Sequence, residues 1–121
     1  MTTIIPLIEM MQGESRSITA TVETALLAKD DITNFTFTWT LWHVLTGTVL
    51  TKTVSDGITI SNQSSNRGEL VIQIDDEDLE DATPLTYEHQ LEMNYSPFTQ
   101  LMMKGLLQLS PTREAIVDSN V

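Results

Sequence analysis

The stretch NFTFTWTLWHV, residues 34–44, decides how the rest of the chain is read. Phe35, Phe37, Trp39 and Leu41 fall on one parity, and Thr36, Thr38 and Thr40 fall on the other. Side chains alternate faces along a strand, so the pattern predicts one apolar face and one threonine face. Phenylalanine, tryptophan and threonine all suit a pleated, half-buried surface. A helix would scatter the same residues around its circumference. At Trp42 and Val44 the second face also turns apolar, so the strand is expected to run deeper into a core at that end.

Outward from this strand the alternation recurs. RSITATVE, residues 16–23, sets Ile18, Ala20 and Val22 against polar neighbours. Leu70, Ile72 and Ile74 share one side of residues 69–74. Tyr87, His89, Leu91 and Met93 share one parity of residues 86–94, with Thr86, Glu88, Gln90, Glu92 and Asn94 on the other. Residues 49–54 return from the central strand as a hairpin after Thr46-Gly47, and Ile58 to Ile60 follow the Asp56-Gly57 turn. Ile4 to Met11 reads as a leading strand with Pro6 at an edge position. Residues 100–109 read as the last strand, after a turn at Ser96-Pro97. Residues 24–33 read as a connection, and the wholly polar SNQSSNRG, residues 61–68, as a mobile tip. Seven or eight short strands with turn signals between them, and no amphipathic helix, predict an all-β fold. The expected form is a β-sandwich of antiparallel strands over residues 1–110, with a small barrel as the alternative. Residues 111–121 are expected to be a C-terminal tail.

A chain of 121 residues is one domain of ordinary size and can bury a core without staples. It has no cysteine, so thiolate and disulfide chemistry are closed to it. Seventeen acidic residues against six basic ones give a net charge of −11. No lysine or arginine cluster could follow a phosphate backbone, so direct contact with nucleic acid or an anionic membrane is not expected. No apolar run approaches the roughly 20 residues of a membrane span. The N-terminal MTTIIPLIEMM has no basic segment and carries Glu9, so it is not expected to be a signal peptide.

LEDATPLTYEHQL, residues 79–91, carries a further signal. A leucine, an Asp-Ala pair and a tyrosine precede an alternating strand. This resembles the tyrosine corner that opens strand F of immunoglobulin-like sandwiches. The resemblance implies that Tyr87 carries the corner hydroxyl and that His89 takes a core position. It also implies that Trp39 or Trp42 is the core tryptophan. The order of MQGESRSITATV, TWTLWHVLTGTVLTKTVSDGITI, an acidic turn and TYEHQLEM is similar to small immunoglobulin-like virion proteins of tailed bacteriophages. The similarity covers about residues 10–109 and is a pattern of strands, not a catalytic signature. It implies a place in head decoration, neck or tail-baseplate without choosing among them.

Candidate chemistry is sparse. His89 lies on the apolar parity and is expected in the core, with Glu88 and Glu92 pointing away. His43 is expected on the threonine face, exposed or at a subunit contact. The run from Asp75 to Asp81 holds six acids in seven residues. A calcium loop would suit them, but the glycine an EF-hand loop needs is missing, and a solvated turn plugged by Leu79 is the plainer reading. No G-x-S-x-G elbow or phosphate-binding glycine loop is present, so no enzyme, cofactor or metal is expected. The core is expected to hold Phe35, Phe37, Trp39, Leu41, Tyr87 and His89. Met10-Met11 and Leu101-Met102-Met103 put apolar residues on both faces of terminal strands, which means either double burial or a subunit contact.

The expected function is that of a non-enzymatic structural protein of a phage particle, located in the virion. Its partners would be capsid, portal or tail subunits, bound in many copies or as a homo-oligomer. Ile4, Ile5, Leu7 and Ile8 in the leading strand, and Ile116 and Val117 in the tail, are the expected subunit contacts. The alternative is a carbohydrate- or host-surface-binding module of the tail, which would call for an exposed aromatic platform.

Overall fold

The computed structural model describes residues 3–22, 32–33, 35–95 and 98–111. The expected contacts Ile116 and Val117, the Ser96-Pro97 turn and most of the 24–33 connection lie outside the described residues. Among the described residues every regular element is a strand. They are β1 (Thr3–Ile4), β2 (Ile8–Met11), β3 (Arg16–Thr21), β4 (Thr36–His43), β5 (Gly47–Val54), β6 (Gly57–Ile60), β7 (Glu69–Ile74), β8 (Thr86–Tyr95) and β9 (Phe98–Ser110).

The all-β expectation holds, with two differences in detail. The leading strand is two strands, because Ile5 to Leu7, with Pro6 at the centre, break it into β1 and β2. The pairing is also mixed. β1 and β2 lie parallel to β9, and β5 meets β6 in a two-residue parallel contact. The remaining pairs are antiparallel, and the hydrogen-bonded path runs β1-β9-β8-β4-β5-β6-β7-β3, with β2 also on β9. The hairpins β4–β5 and β8–β9 place the central strand in the middle of its layer, between β5 and β8. The path curls so that Ala20 and Val22, at the β3 end, line a small cavity with Ile5, Leu91, Met102 and Met103 from the other end. Nearly barrel-like closure of this kind encloses one continuous core.

That core is built from the parities of the alternating strands. Phe37, Trp39 and Leu41 of β4, Ile72 and Ile74 of β7, and Leu91 and Met93 of β8 are buried. Phe35 precedes β4 and is only half-buried, packed on the core's edge. Two methionines show how the last strand departs from simple alternation. Leu91 pairs with Met103, but Glu92 pairs with Leu101, so Met102 is an extra residue in a bulge. A bulge turns successive side chains to the same side, and Met102 and Met103 are both buried.

The loops are less free than their composition suggests. In the polar loop 61–68, Gln63 is buried. Its Oε1 accepts from the backbone N–H of Ile32 (3.1 Å) and of Gly68 (2.8 Å), while Nε2 donates to the Ser61 carbonyl (2.9 Å). The expected mobile tip is therefore pinned by one amide. The acidic segment is a turn, with Leu79 buried beneath it. Asp78 Oδ2 accepts from the Asp75 N–H at 2.7 Å and lies 2.7 Å from the buried Lys52 Nζ. The carboxylate an ion would need is already held by an ammonium, and the described residues contain no group of three or more His, Asp or Glu placed to hold a metal.

Candidate interaction face

The four-strand layer β5-β4-β8-β9 has an inner side on the core and an outer side on solvent. Register builds the outer side row by row. Trp42 pairs with Thr48 and Glu88, and Glu88 with Leu106. The next row is Thr51, Thr40, Gln90 and Lys104. The third is Thr53, Thr38, Glu92 and Leu101. The face is thus threonine-rich across β4 and β5, acidic down β8, and apolar with one cation along β9.

Apolar residues gather at one end of it. A depression of about 410 Å³ is lined by Trp42, Leu101 and Leu106, by Ile4 of β1, and by Glu88 and Lys104. A second hollow continues from it past Glu88 and Leu106 to His43 and Val44 at the β4–β5 turn. Ile4 is 72 % exposed, Leu106 45 %, and Val44 and Leu45 at the turn 80 % and 81 %. Burying such side chains against a partner is favourable, and contiguous exposed apolar patches mark interaction sites.

The turn that carries Val44 and Leu45 is braced. His43 Nδ1 accepts from the Leu45 N–H at 3.0 Å. The His43 ring meets the edge of Tyr87 with centroids 5.9 Å apart. This corrects the expected place of His43. It shares the odd parity of Trp39 and Leu41, so it stands over Tyr87 and not on the threonine face. Trp42 and Val44 are corrected too: Trp42 is half-buried on the outer face, and Val44 projects into solvent instead of entering a deeper core.

Under the face, β4 and β8 hold the polar part of the core. Tyr87 is buried, and its hydroxyl donates to the Thr83 carbonyl at 2.5 Å. Burial raises its pKa above the ordinary phenol value. Trp39 Nε1 donates to His89 Nδ1 at 3.2 Å, with both residues buried. Because Nδ1 accepts, the neutral ring carries its proton on Nε2, and that buried nitrogen has no partner among the described residues. Burial lowers the His89 pKa to about 4. His89 Nε2 sits where a Cβ on Gly105 would come within 2.9 Å, and Ile5 closes the same spot at 2.8 Å. Trp39, not Trp42, is therefore the core tryptophan.

The structure divides the leading-strand contacts. Ile4 and Leu7 are exposed, whereas Ile5 and Ile8 are half-buried against the core. Ile4 thus joins the face, while Ile5 and Ile8 hold β1 and β2 onto β9. Sequence reading missed Trp42, Leu101, Leu106 and the Val44-Leu45 turn as one surface. The available signal was an apolar residue on the otherwise polar parity, at Trp42 in β4 and Leu106 in β9. No model of a known protein family matches the chain, and no curated protein sequence matches it significantly.

Proposed function

We propose that the chain is a non-enzymatic structural protein of a bacteriophage particle, an immunoglobulin-like module that binds other virion proteins. It serves as a capsid decoration or cement protein, or as part of the head-to-tail neck, in many copies. The observation that carries the binding role is the open face, where Trp42, Leu106 and Ile4 surround a depression beside the braced Val44-Leu45 turn. The immunoglobulin-like reading is supported by strand order. β4, β8 and β9 follow the order C-F-G, β6, β7 and β3 follow D-E-B, and the Tyr87 hydroxyl reaches back to Thr83 as a tyrosine corner does. Support for the virion comes from the strand pattern of residues 10–109.

The test is mass spectrometry of purified particles from a host that expresses the chain, together with the identity of the flanking genes. The expected result is the chain in the particle, with capsid and portal genes beside it. Its absence from particles while abundant in the lysate would overturn the virion role. A second reading, a carbohydrate- or host-surface-binding module, is favoured by one observation. The half-buried Trp42 offers an aromatic surface next to Glu88 and Gln90 in the depression. Fibre genes as neighbours, and saccharide binding that quenches Trp42 fluorescence, would select it.

A further inference from the structure

We infer that the outer face of β4, β8 and β9 docks a different, net-basic protein chain, which seats an apolar side chain between Trp42 and Leu106 and places lysine or arginine on Glu88 and Glu92. This deepens the binding role proposed above and rests on it.

Glu88 sets the charge that a partner must carry. Register puts its side chain between Trp42 on one neighbouring strand and Leu106 on the other. Any partner that covers those apolar residues also removes Glu88 from water. A carboxylate buried without a counter-charge is strongly unfavourable, so an apolar or acidic partner is disfavoured. A partner cation at that point turns the cost into a specific contact. Glu92, four residues along β8, repeats the requirement beside Leu101. Gln90 Nε2 donates to its Oε1 at 2.8 Å and holds the carboxylate in place.

A second copy of this same face cannot supply these cations. The face holds one cation, Lys104, against two carboxylates, so pairing it with itself leaves acid in excess. Arg16 and Lys52 are held in ion pairs with Glu14 and Asp78. Two copies at −11 each also repel. Among the described residues, Glu88, Glu92 and Lys104 take part in no ion pair within the chain. Charge steers the encounter, and the apolar depression supplies the anchor.

The experiment titrates the full, isotope-labelled chain with three synthetic peptides, followed by amide chemical shifts. The probes are acetyl-Lys-Leu-Leu-Lys-amide, acetyl-Glu-Leu-Leu-Glu-amide and acetyl-Lys-Ser-Ser-Lys-amide. The first should move the amides of residues 40–42, 88–92 and 101–106, and bind at least about tenfold more tightly than either of the others. The doubly reversed variant Glu88→Lys, Glu92→Lys should fold with an unchanged circular-dichroism spectrum and prefer the acidic peptide. Equal binding of the lysine and glutamate peptides, shifts centred elsewhere, or no binding of any peptide would overturn the inference. So would self-association that Trp42→Ser abolishes, or shifts at this face caused by glucose or N-acetylglucosamine in place of peptide. The virion role is read separately, from the particles, so peptide failure with the chain still in particles would move the contact surface without removing the role.

Discussion

His89 is the residue whose chemistry most depends on its surroundings. Its ring lies under the sheet, tied to Trp39 by one nitrogen and, among the described residues, unpaired at the other. The neutral form is the one burial favours, so the unfolded chain takes up the proton first as pH falls. The stabilisation is whole above the ordinary value of 6.5 and is withdrawn as pH drops toward about 4. At roughly 1.4 kcal/mol per pH unit, this amounts to about 3 kcal/mol. Urea denaturation of the native chain at pH 7 and pH 4.5 should show most of this loss, about 2 kcal/mol. His89→Gln keeps a side-chain acceptor, does not titrate, and should show a smaller difference. An equal pH dependence in both proteins would mean that carboxylates, not His89, control acid stability. Trp39→Ala should cost about 3–5 kcal/mol by the same measurement, because it leaves a large cavity and a second unpaired histidine nitrogen. Gly105→Ala should cost about 1–3 kcal/mol, since the new methyl would press on His89 Nε2 and Ile5 together. Parity alone placed Tyr87 and His89 on the inner side. The closeness of Gly105 to His89 was not legible, because it depends on which residues of β8 and β9 stand opposite one another.

At the scale of elements, Lys52 of β5 and Asp78 of the acidic turn form a clasp that neither segment announces. Lys52 looks like a strand residue among threonines, and Asp78 like one carboxylate in a run of six. Yet the ammonium is buried on the inner side of β5, and the turn brings Asp78 to it. Gly57 follows from the same arrangement: it holds φ at +101°, and a Cβ there would run into the lysine stem. Removing either charge leaves the other poorly solvated. Lys52→Met and Asp78→Leu should each cost about 2–4 kcal/mol, below the fully buried range on the low side because Asp78 keeps some contact with water. The double variant should cost clearly less than the two single costs added, since it strands no charge. Thermal melts of the four proteins check this, and strict additivity would show that the pair is not coupled. Strands with clean alternation, such as Arg16 to Thr21 and Glu69 to Ile74, were legible because period two is a local signal. The bulge at Met102 and the role of Gln63 were not, since each is set by a distant strand or loop.

Across the whole molecule, the property hardest to foresee was how the sheet ends. Alternation tells which residues face the core but not which strands neighbour one another. The parallel pairing of β1 and β2 with β9 therefore had no sequence signal beyond an apolar leading segment. Its consequence is protection. β9 runs thirteen residues from Phe98 to Ser110, the longest strand, and β8 covers one edge. Among the described residues, the other edge is covered by β1, at Met103 and Lys104, and by β2, from Leu107 to Ser110. An open edge of that length, with apolar residues on both sides of the strand, invites pairing with another chain. Pro6 interrupts the cover without leaving the edge bare, because the Ile5 N–H still donates to the Lys104 carbonyl at 3.0 Å. Deleting residues 1–11 should therefore do more than remove contacts. The shortened chain should associate with increasing concentration, seen by sedimentation velocity as a rising coefficient, and should lose cooperativity in thermal melts. The full-length variant Ile4→Ser, Leu7→Ser tests the opposite contribution. Both side chains point to solvent, so it should fold and sediment as the native chain does. If the deletion behaves like the native chain, β9 is shielded by twist or by its own charge, and the leading strands serve only the exposed face to which Ile4 belongs.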